Sequence, residues 1–175
     1  MKTAVIAVVG SKSSGKTTAI EFLTKELTKR GYKVATVKHI PEPNFTMDRE
    51  GKDTWRFAES GAKTIVSVAS NEVATIEKLN ATDFSLEEIL QKCEDNDVIF
   101  LEGFRKLVGE NPNVPKIVAV KSPAEAFEAS KTFKPILAFT GPYSTENLNL
   151  NVQYINVLKN SEKIADMVEK IVRKR

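Results

Sequence analysis

The sequence predicts a single α/β domain over residues 1–175, with a mostly parallel sheet flanked by helices and an edge hairpin, and three observations predict it. Short apolar runs alternate with helical patterns, the order that builds a parallel sheet with helices on its faces. The runs Ala4–Val9, Val34–Val37, Thr64–Val68, Val98–Leu101, Ile117–Val120 and Ile136–Phe139 are rich in Val and Ile and do not alternate with polar residues. Strands buried on both faces have this character. The composition agrees: 41% of the 175 residues are hydrophobic and the net charge is only +3, which supplies a core and excludes a disordered chain.

The elements between these runs carry their own punctuation. Ile20, Leu23 and Leu27 share one face of a helix from about Thr17 to Arg30, closed by Gly31. A helix through Trp55 and Ala58 ends at Gly61, with Asp53 as its candidate N-cap. Val73–Ile76 alternates weakly and reads as an edge or hairpin strand paired with 64–68. Ser85 and Glu88 form a capping box, followed by Leu86, Ile89, Leu90 and Cys93 at helical spacing, which makes Cys93 a small core residue. Ser122-Pro123-Ala124-Glu125 is a second capping box, with proline at the first helical position. Ile164, Met167, Val168, Ile171 and Val172 make the apolar stripe of a C-terminal helix, whose Arg173-Lys174-Arg175 end reads as solvated. Ile40–Gly51 and Lys106–Pro115 resist regular assignment, and each follows the carboxyl end of a strand, where open α/β sheets place ligands.

Several function classes fall away on composition. The longest apolar run, Ala4–Val9, is far short of the roughly 20 residues that span a bilayer. It leads straight into Gly10 and Lys12 without a cleavage site, so no export signal is expected. One cysteine, Cys93, fits a reducing compartment, and the expected location is cytoplasmic. With His39 the sole histidine and Cys93 the sole cysteine, no Cys/His zinc site is expected. The balance of 26 basic and 23 acidic residues does not argue for nucleic acid.

The chemistry begins at Gly10-Ser11-Lys12-Ser13-Ser14-Gly15-Lys16-Thr17, a full match to G-x-x-x-x-G-K-[ST] with an apolar strand before it and a helical pattern after it. Glycines let the backbone wrap a phosphate, and successive N–H groups converge on the anion at the positive end of the following helix. Lys16 would bridge the β- and γ-phosphates and the Thr17 hydroxyl would ligate Mg²⁺, in a domain of P-loop NTPase type. A variant of this loop carries an extra lysine at the position held here by Ser11. Lys12 is one residue out of that register and reads as an exposed lysine that adds positive field.

Asp97–Phe104 is a buried strand that delivers Glu102 to its carboxyl end, with Gly103 turning the backbone beside the phosphates. A carboxylate there meets Mg²⁺ or its water; alternatively it is a strand terminus paired with a lysine. Lys38-His39 closes the second strand, and Asp48, Lys52 and Asp53 follow in a region that often senses the γ-phosphate. For Asp53 a cap and a functional role stay open together. His39 reads as structural or as a phosphate contact, since no nucleophile accompanies it.

Gly10–Thr18, Val37-Lys38-His39, Gly51-Lys52-Asp53-Thr54 with Glu59-Ser60-Gly61-Ala62, the Leu-Glu-Gly-Phe centre of Asp97–Arg105 and an Asn149-Leu150-Asn151 segment together resemble the molybdopterin-guanine dinucleotide biosynthesis protein B (MobB) family. The resemblance implies a dimeric GTP-binding protein that assists attachment of GMP to molybdopterin. The transfer itself belongs to a MobA-type nucleotidyltransferase, and GTP hydrolysis is at most slow. Carried over by position, Gly10, Ser11, Lys12, Ser13, Ser14, Gly15, Lys16, Thr17 and Thr18 would hold the phosphates, with Gly103 beside them. Thr17 and Glu102 would serve magnesium, Lys16 and Glu102 any hydrolysis, and Asp48, Lys52 and Asp53 would lie in the adjoining loop.

The chain departs from the family's pattern in three places. Ile40-Pro41-Glu42-Pro43 stands where relatives commonly have further histidines, Thr140-Gly141-Pro142 lacks an acidic residue, and no Asn-Lys-x-Asp motif reads guanine. Two rival readings share the same sheet: a P-loop small-molecule kinase and an ATP-dependent metabolic ligase. Kinases of this type carry an arginine-rich lid. Here Arg30, Arg49, Arg56 and Arg105 are scattered, with Arg49 and Arg56 flanking Gly51.

Overall fold

In the computed structural model, which describes residues 3–79, 84–142 and 150–174, the apolar runs become strands in the expected order. The elements are β1 (Ala4–Gly10), α1 (Lys16–Lys29), β2 (Val34–Lys38), α2 (Asp53–Glu59), β3 (Thr64–Val68), β4 (Val73–Glu77), α3 (Leu86–Gln91), β5 (Val98–Glu102), α4 (Arg105–Val108), β6 (Lys116–Ala119), α5 (Pro123–Thr132), β7 (Ile136–Thr140) and α6 (Val157–Val172). The chain, expected as one domain, divides into two compact units, one of Met1–His39 with Leu86–Arg175 and one of Ile40–Ser85. Among the described residues no helix is long and apolar enough to cross a membrane.

The first unit is built on a five-stranded sheet of order β2-β5-β1-β6-β7, parallel throughout. Successive side chains of a strand point to opposite faces. Ala4, Ile6 and Val8 of β1 therefore join Leu23 and Leu27 of α1 and Ile164 and Val168 of α6 in one core. Val5 and Val9 point the other way and are buried too. This double burial is why the run carries no polar alternation. β2 lies at the edge of the sheet and is only half-buried, less covered than its sequence suggests.

Helix α1 closes as expected. The Gly31 N–H donates to the Thr28 carbonyl (3.0 Å) and the Tyr32 N–H to the Leu27 carbonyl (3.1 Å), a Schellman pair. Just beyond it, Arg30 reaches α6: its guanidinium pairs with Glu26 (3.0 Å), Asp166 (2.7 Å) and Glu169 (3.2 Å). The Tyr32 hydroxyl donates to Glu169 at 2.8 Å, and Arg173 pairs with the same carboxylate at 2.7 Å. Arg173 is solvent-exposed, as expected, and also paired with Glu169, while Arg175 lies outside the described residues, as does Asn149.

The second unit is the hairpin β3–β4, a two-stranded antiparallel sheet of its own, with α2 packed against β3. The pairing of 64–68 with 73–77 is the expected one. Membership of 64–68 in the central sheet is not. Its partner is local, reached through a turn in which the Ala69 N–H donates to the Glu72 carbonyl at 2.8 Å. A two-stranded ribbon has one face to cover, so Ile65 is buried while Val66, Val68 and Val73 stay exposed. Asp53 is also corrected. Lys52 occupies the N-cap and Asp53 is the first helical residue, its exposed carboxylate 3.7 Å from Arg56.

Three smaller differences are local. α3 ends at Gln91, so Cys93 falls in the following turn and is half-buried, with burial pushing its thiol pKa up. Arg105–Val108, most of it inside the Lys106–Pro115 stretch expected to be irregular, forms the single turn α4. At α5 the Ser122 hydroxyl accepts from the Glu125 N–H (3.2 Å) as expected, but the Glu125 carboxylate accepts from the Lys121 N–H at 2.8 Å.

Glu169 lies below the usual carboxylate range, chiefly because the Tyr32 hydroxyl donates to it, with Arg173 and Arg30 adding attraction. A carboxylate lowered in this way stabilises the fold above its unfolded pKa, and that contribution is lost as pH falls through the lower folded value. Tyr32→Phe should therefore lower the melting temperature by a few degrees at neutral pH. The difference from the unsubstituted chain should close as pH falls below about 4. A difference unchanged at low pH would assign the hydroxyl's effect to packing.

Candidate functional site

β1 ends at Gly10 in the middle of the sheet, between β5 and β6, where the chain order reverses direction. This is the place where open α/β sheets bind ligands. The loop that follows runs so close to β6 that a Cβ on Gly10 would fall on the Ala119 carbonyl oxygen and 2.6 Å from Ser14 Oγ. The Ser14 N–H donates to the Ser11 carbonyl at 3.4 Å, and Gly15 in a left-handed conformation starts α1 as its N-cap. The first turn of α1 has backbone N–H groups without intrahelical partners, which makes it an anion-binding terminus.

Lys16, the first residue of α1, donates from Nζ to the Ser11 carbonyl at 2.7 Å, across the mouth of the loop. Burial pushes its pKa down, Glu102 pulls it up, and the cations Arg105, Lys38 and Lys121 lower it further. Thr17 Oγ1 donates to both oxygens of Glu102, at 3.0 and 3.1 Å. Lys38 Nζ lies 3.4 Å from the same carboxylate. Strand register makes this cluster: Glu102 is the Cα partner of Val8 on one side and of Lys38 on the other. After Glu102 the chain turns through Gly103 (φ 89°) and Phe104 (φ 55°), both left-handed, and the Gly103 N–H donates to the Val8 carbonyl at 3.0 Å. A cavity of about 450 Å³ opens here, lined by residues 12–18, Lys38 and Glu102.

The loop is also held from α5. Ser11 Oγ donates to the Glu125 carboxylate at 3.3 Å, and Lys121 Nζ donates to the Lys12 carbonyl at 3.3 Å. The structure thus brings residues 12–18 and Glu102 around one cavity, with Gly10 and Gly103 at the adjoining strand ends. The Lys12 side chain is exposed on the cavity wall. His39 lays its ring against Phe104, with centroids 5.3 Å apart, and its N–H donates to the Glu102 carbonyl at 3.0 Å. Asp48, Lys52 and Asp53 belong to the second unit. There Asp48 accepts from Thr54 Oγ1 at 2.8 Å and from the Arg49 N–H at 2.9 Å.

Two contributors were not legible in the sequence. Lys38 carried the signal of a strand end but not its pairing with Glu102, and Glu125 read as a capping residue although it also anchors the loop. Of the arginines a kinase lid would need, Arg30 is committed to α6 and Arg105 lies over the Phe133 ring at 5.2 Å.

The donor set suits a hard cation. The oxygen donors at the rim of the cavity are the Thr17 hydroxyl and the Glu102 carboxylate. Mg²⁺ is bound in this way, through one or two protein oxygens with phosphates and waters completing its octahedron.

Comparison with known proteins places this geometry in a family. Residues 5–140 match the family model described as Molybdopterin guanine dinucleotide synthesis protein B. The chain is 38% identical over 120 residues to the putative molybdopterin-guanine dinucleotide biosynthesis adapter protein of Methanocaldococcus jannaschii, covering 67% of this chain and 47% of that protein. It is 33% identical over 116 residues to the corresponding adapter protein of Haemophilus influenzae, covering 65% and 61% respectively. The matched region thus spans about half of one relative, at 47%, and under two thirds of the other, at 61%. A solved structure of molybdopterin-guanine biosynthesis protein B superposes with a TM-score of 0.72 at 27% identity, covering 97% of this chain and 99% of that one. On these matches the chain belongs to the MobB family.

Proposed function

We propose that this chain is a GTP-binding, magnesium-dependent accessory protein of molybdenum-cofactor biosynthesis. In this reading it assists a MobA-type nucleotidyltransferase that joins GMP to molybdopterin, with molybdopterin itself a further partner. The observation that carries the nucleotide part is the loop at Gly10, pressed against Ala119 with Lys16 across its mouth and the Thr17–Glu102 pair at its rim. The adapter role is supported by the names of the relatives from M. jannaschii and H. influenzae.

The residues divide the work by chemistry. Backbone N–H groups of residues 11–18 take the phosphate oxygens, and Lys16 exchanges its bond to the Ser11 carbonyl for the β- and γ-phosphates. Mg²⁺, when bound, neutralises phosphate charge. Thr17 and Glu102 would hold it, and Gly103 keeps the backbone beside them. The same pair with Lys16 accounts for slow GTP hydrolysis at most. Asp48, Lys52 and Asp53 are proposed to respond to the γ-phosphate. Incubating labelled GTP and molybdopterin with and without the nucleotidyltransferase tests the adapter role. Product formed by this chain alone would overturn it in favour of a transferase, and phosphorylation of a small molecule in favour of a kinase.

A homodimer and a cytoplasmic location complete the reading. In the hairpin register Val68 is opposite Val73, and Val66 shares their face, leaving an apolar strip exposed. Exposed apolar strips of this kind mark association surfaces. Sedimentation at micromolar concentration should show a dimer, and Val68→Glu should shift it to monomer; a monomer in the unsubstituted chain would count against it.

Lys16→Ala should keep the fold and weaken GTP binding by about 100-fold, since charge-assisted contacts to phosphate are strong. Unchanged affinity by calorimetry would remove the loop from nucleotide binding. Glu102→Gln keeps an acceptor for Thr17 while removing the charge. Metal-free GTP binding should be equal or tighter, the gain on adding Mg²⁺ should vanish, and hydrolysis should fall. A destabilised variant with its full magnesium response would make Glu102 part of the scaffold.

A further inference from the structure

Glu102 carries a carboxylate whose side chain is only 12% exposed, so it requires a positive partner in the folded protein. Lys16 acts on it electrostatically but holds its hydrogen bond to the Ser11 carbonyl, at 2.7 Å, and makes no ion pair with it. Lys38 does, at 3.4 Å, and its position is set by the backbone. Lys38 and Glu102 are Cα partners in the β2–β5 ladder, and the ladder continues through the bond from the His39 N–H to the Glu102 carbonyl at 3.0 Å. Lys38 is nevertheless 58% exposed on a flexible four-carbon stem, so the ammonium can swing while the stem stays anchored.

The Thr17 hydroxyl donates its proton to Glu102, which leaves its lone pairs free for a cation beside the carboxylate. A divalent ion held there would stand within a few ångström of the Lys38 ammonium, and like charges at such a distance repel strongly. Besides Glu102, the charges that act on neighbouring Lys16 are Arg105, Lys38 and Lys121, all positive. Metal and Lys38 are therefore alternatives at one carboxylate. Lys38 also lines the cavity that Lys12 and Lys16 line, so an ammonium displaced from Glu102 remains beside the phosphate position.

We propose that Lys38 is a built-in counter-ion that competes with the divalent cation for Glu102 and turns to the phosphates when metal takes its place. Its presence lets the protein hold a nucleoside triphosphate without metal and makes the magnesium dependence shallow. The inference rests on the nucleotide-binding reading above and deepens it by naming the residue that sets the metal requirement.

The test is calorimetric titration of the full chain with GTP, in EDTA and in excess Mg²⁺, for the unsubstituted protein, Lys38→Met and Lys38→Arg. Lys38→Met should weaken metal-free binding by about tenfold and enlarge the ratio of metal-free to magnesium Kd. Lys38→Arg should restore both values toward those of the unsubstituted chain. A ratio in Lys38→Met equal to or below that of the unsubstituted chain overturns the proposal, whatever the melting temperature does. Failure of the unsubstituted chain to bind GTP in either buffer overturns instead the reading on which it rests.

Discussion

Glu102 stands where β1, β5 and β2 end side by side, and the parallel register of these three strands is the constraint on which the site depends. Parallel strands share a direction, so their carboxyl ends meet along one edge and the chain leaves every strand toward the same side. Val8, Glu102 and Lys38 are neighbours for that reason alone, although they come from distant parts of the chain. The burial of β1 and β5 on both faces makes the register hard to shift, because a slip would move whole rows of Val, Ile and Leu out of a packed core.

The phosphate-type loop inherits its rigidity from this frame. Gly10 is pressed against the Ala119 carbonyl, and Ser11 and Lys12 are tied to Glu125 and Lys121 at the start of α5. α1, which begins at the loop, is held at its far end by the Arg30 and Tyr32 bonds to α6. A loop fixed at both ends needs little reordering when an anion arrives, which favours binding. Five cations (Lys12, Lys16, Lys38, Arg105 and Lys121) gather around two carboxylates here, a far more positive field than the net charge of +3 conveys.

The second unit follows a different logic. Its hairpin buries Ile65 and leaves Val66, Val68 and Val73 exposed, because a two-stranded ribbon has too little neighbouring structure to cover both faces. Thr64–Val68 and Ile117–Val120 each carry one Ile and two Val, which is why the two runs read alike in sequence. Only the turn at 69–72, with its local hydrogen bond, separates a hairpin from a strand of the central sheet.

Sequence by itself determined the order of the strands and of every helix but α4, the loop at residues 10–17, the closure of α1 at Gly31 and the placing of Glu102 at a strand end. Each rests on local physics: backbone preference, periodic burial, or a motif read within a few residues. Tertiary structure alone decided that Lys38 rather than Lys16 faces Glu102, that Glu125 braces Ser11, that Asp53 follows its cap rather than forming it, and that 64–68 leaves the central sheet. These depend on strand pairing and on packing between distant segments. Residue type and spacing do not encode such distances directly, because many partners of similar charge and size compete for each position until the whole core is assembled.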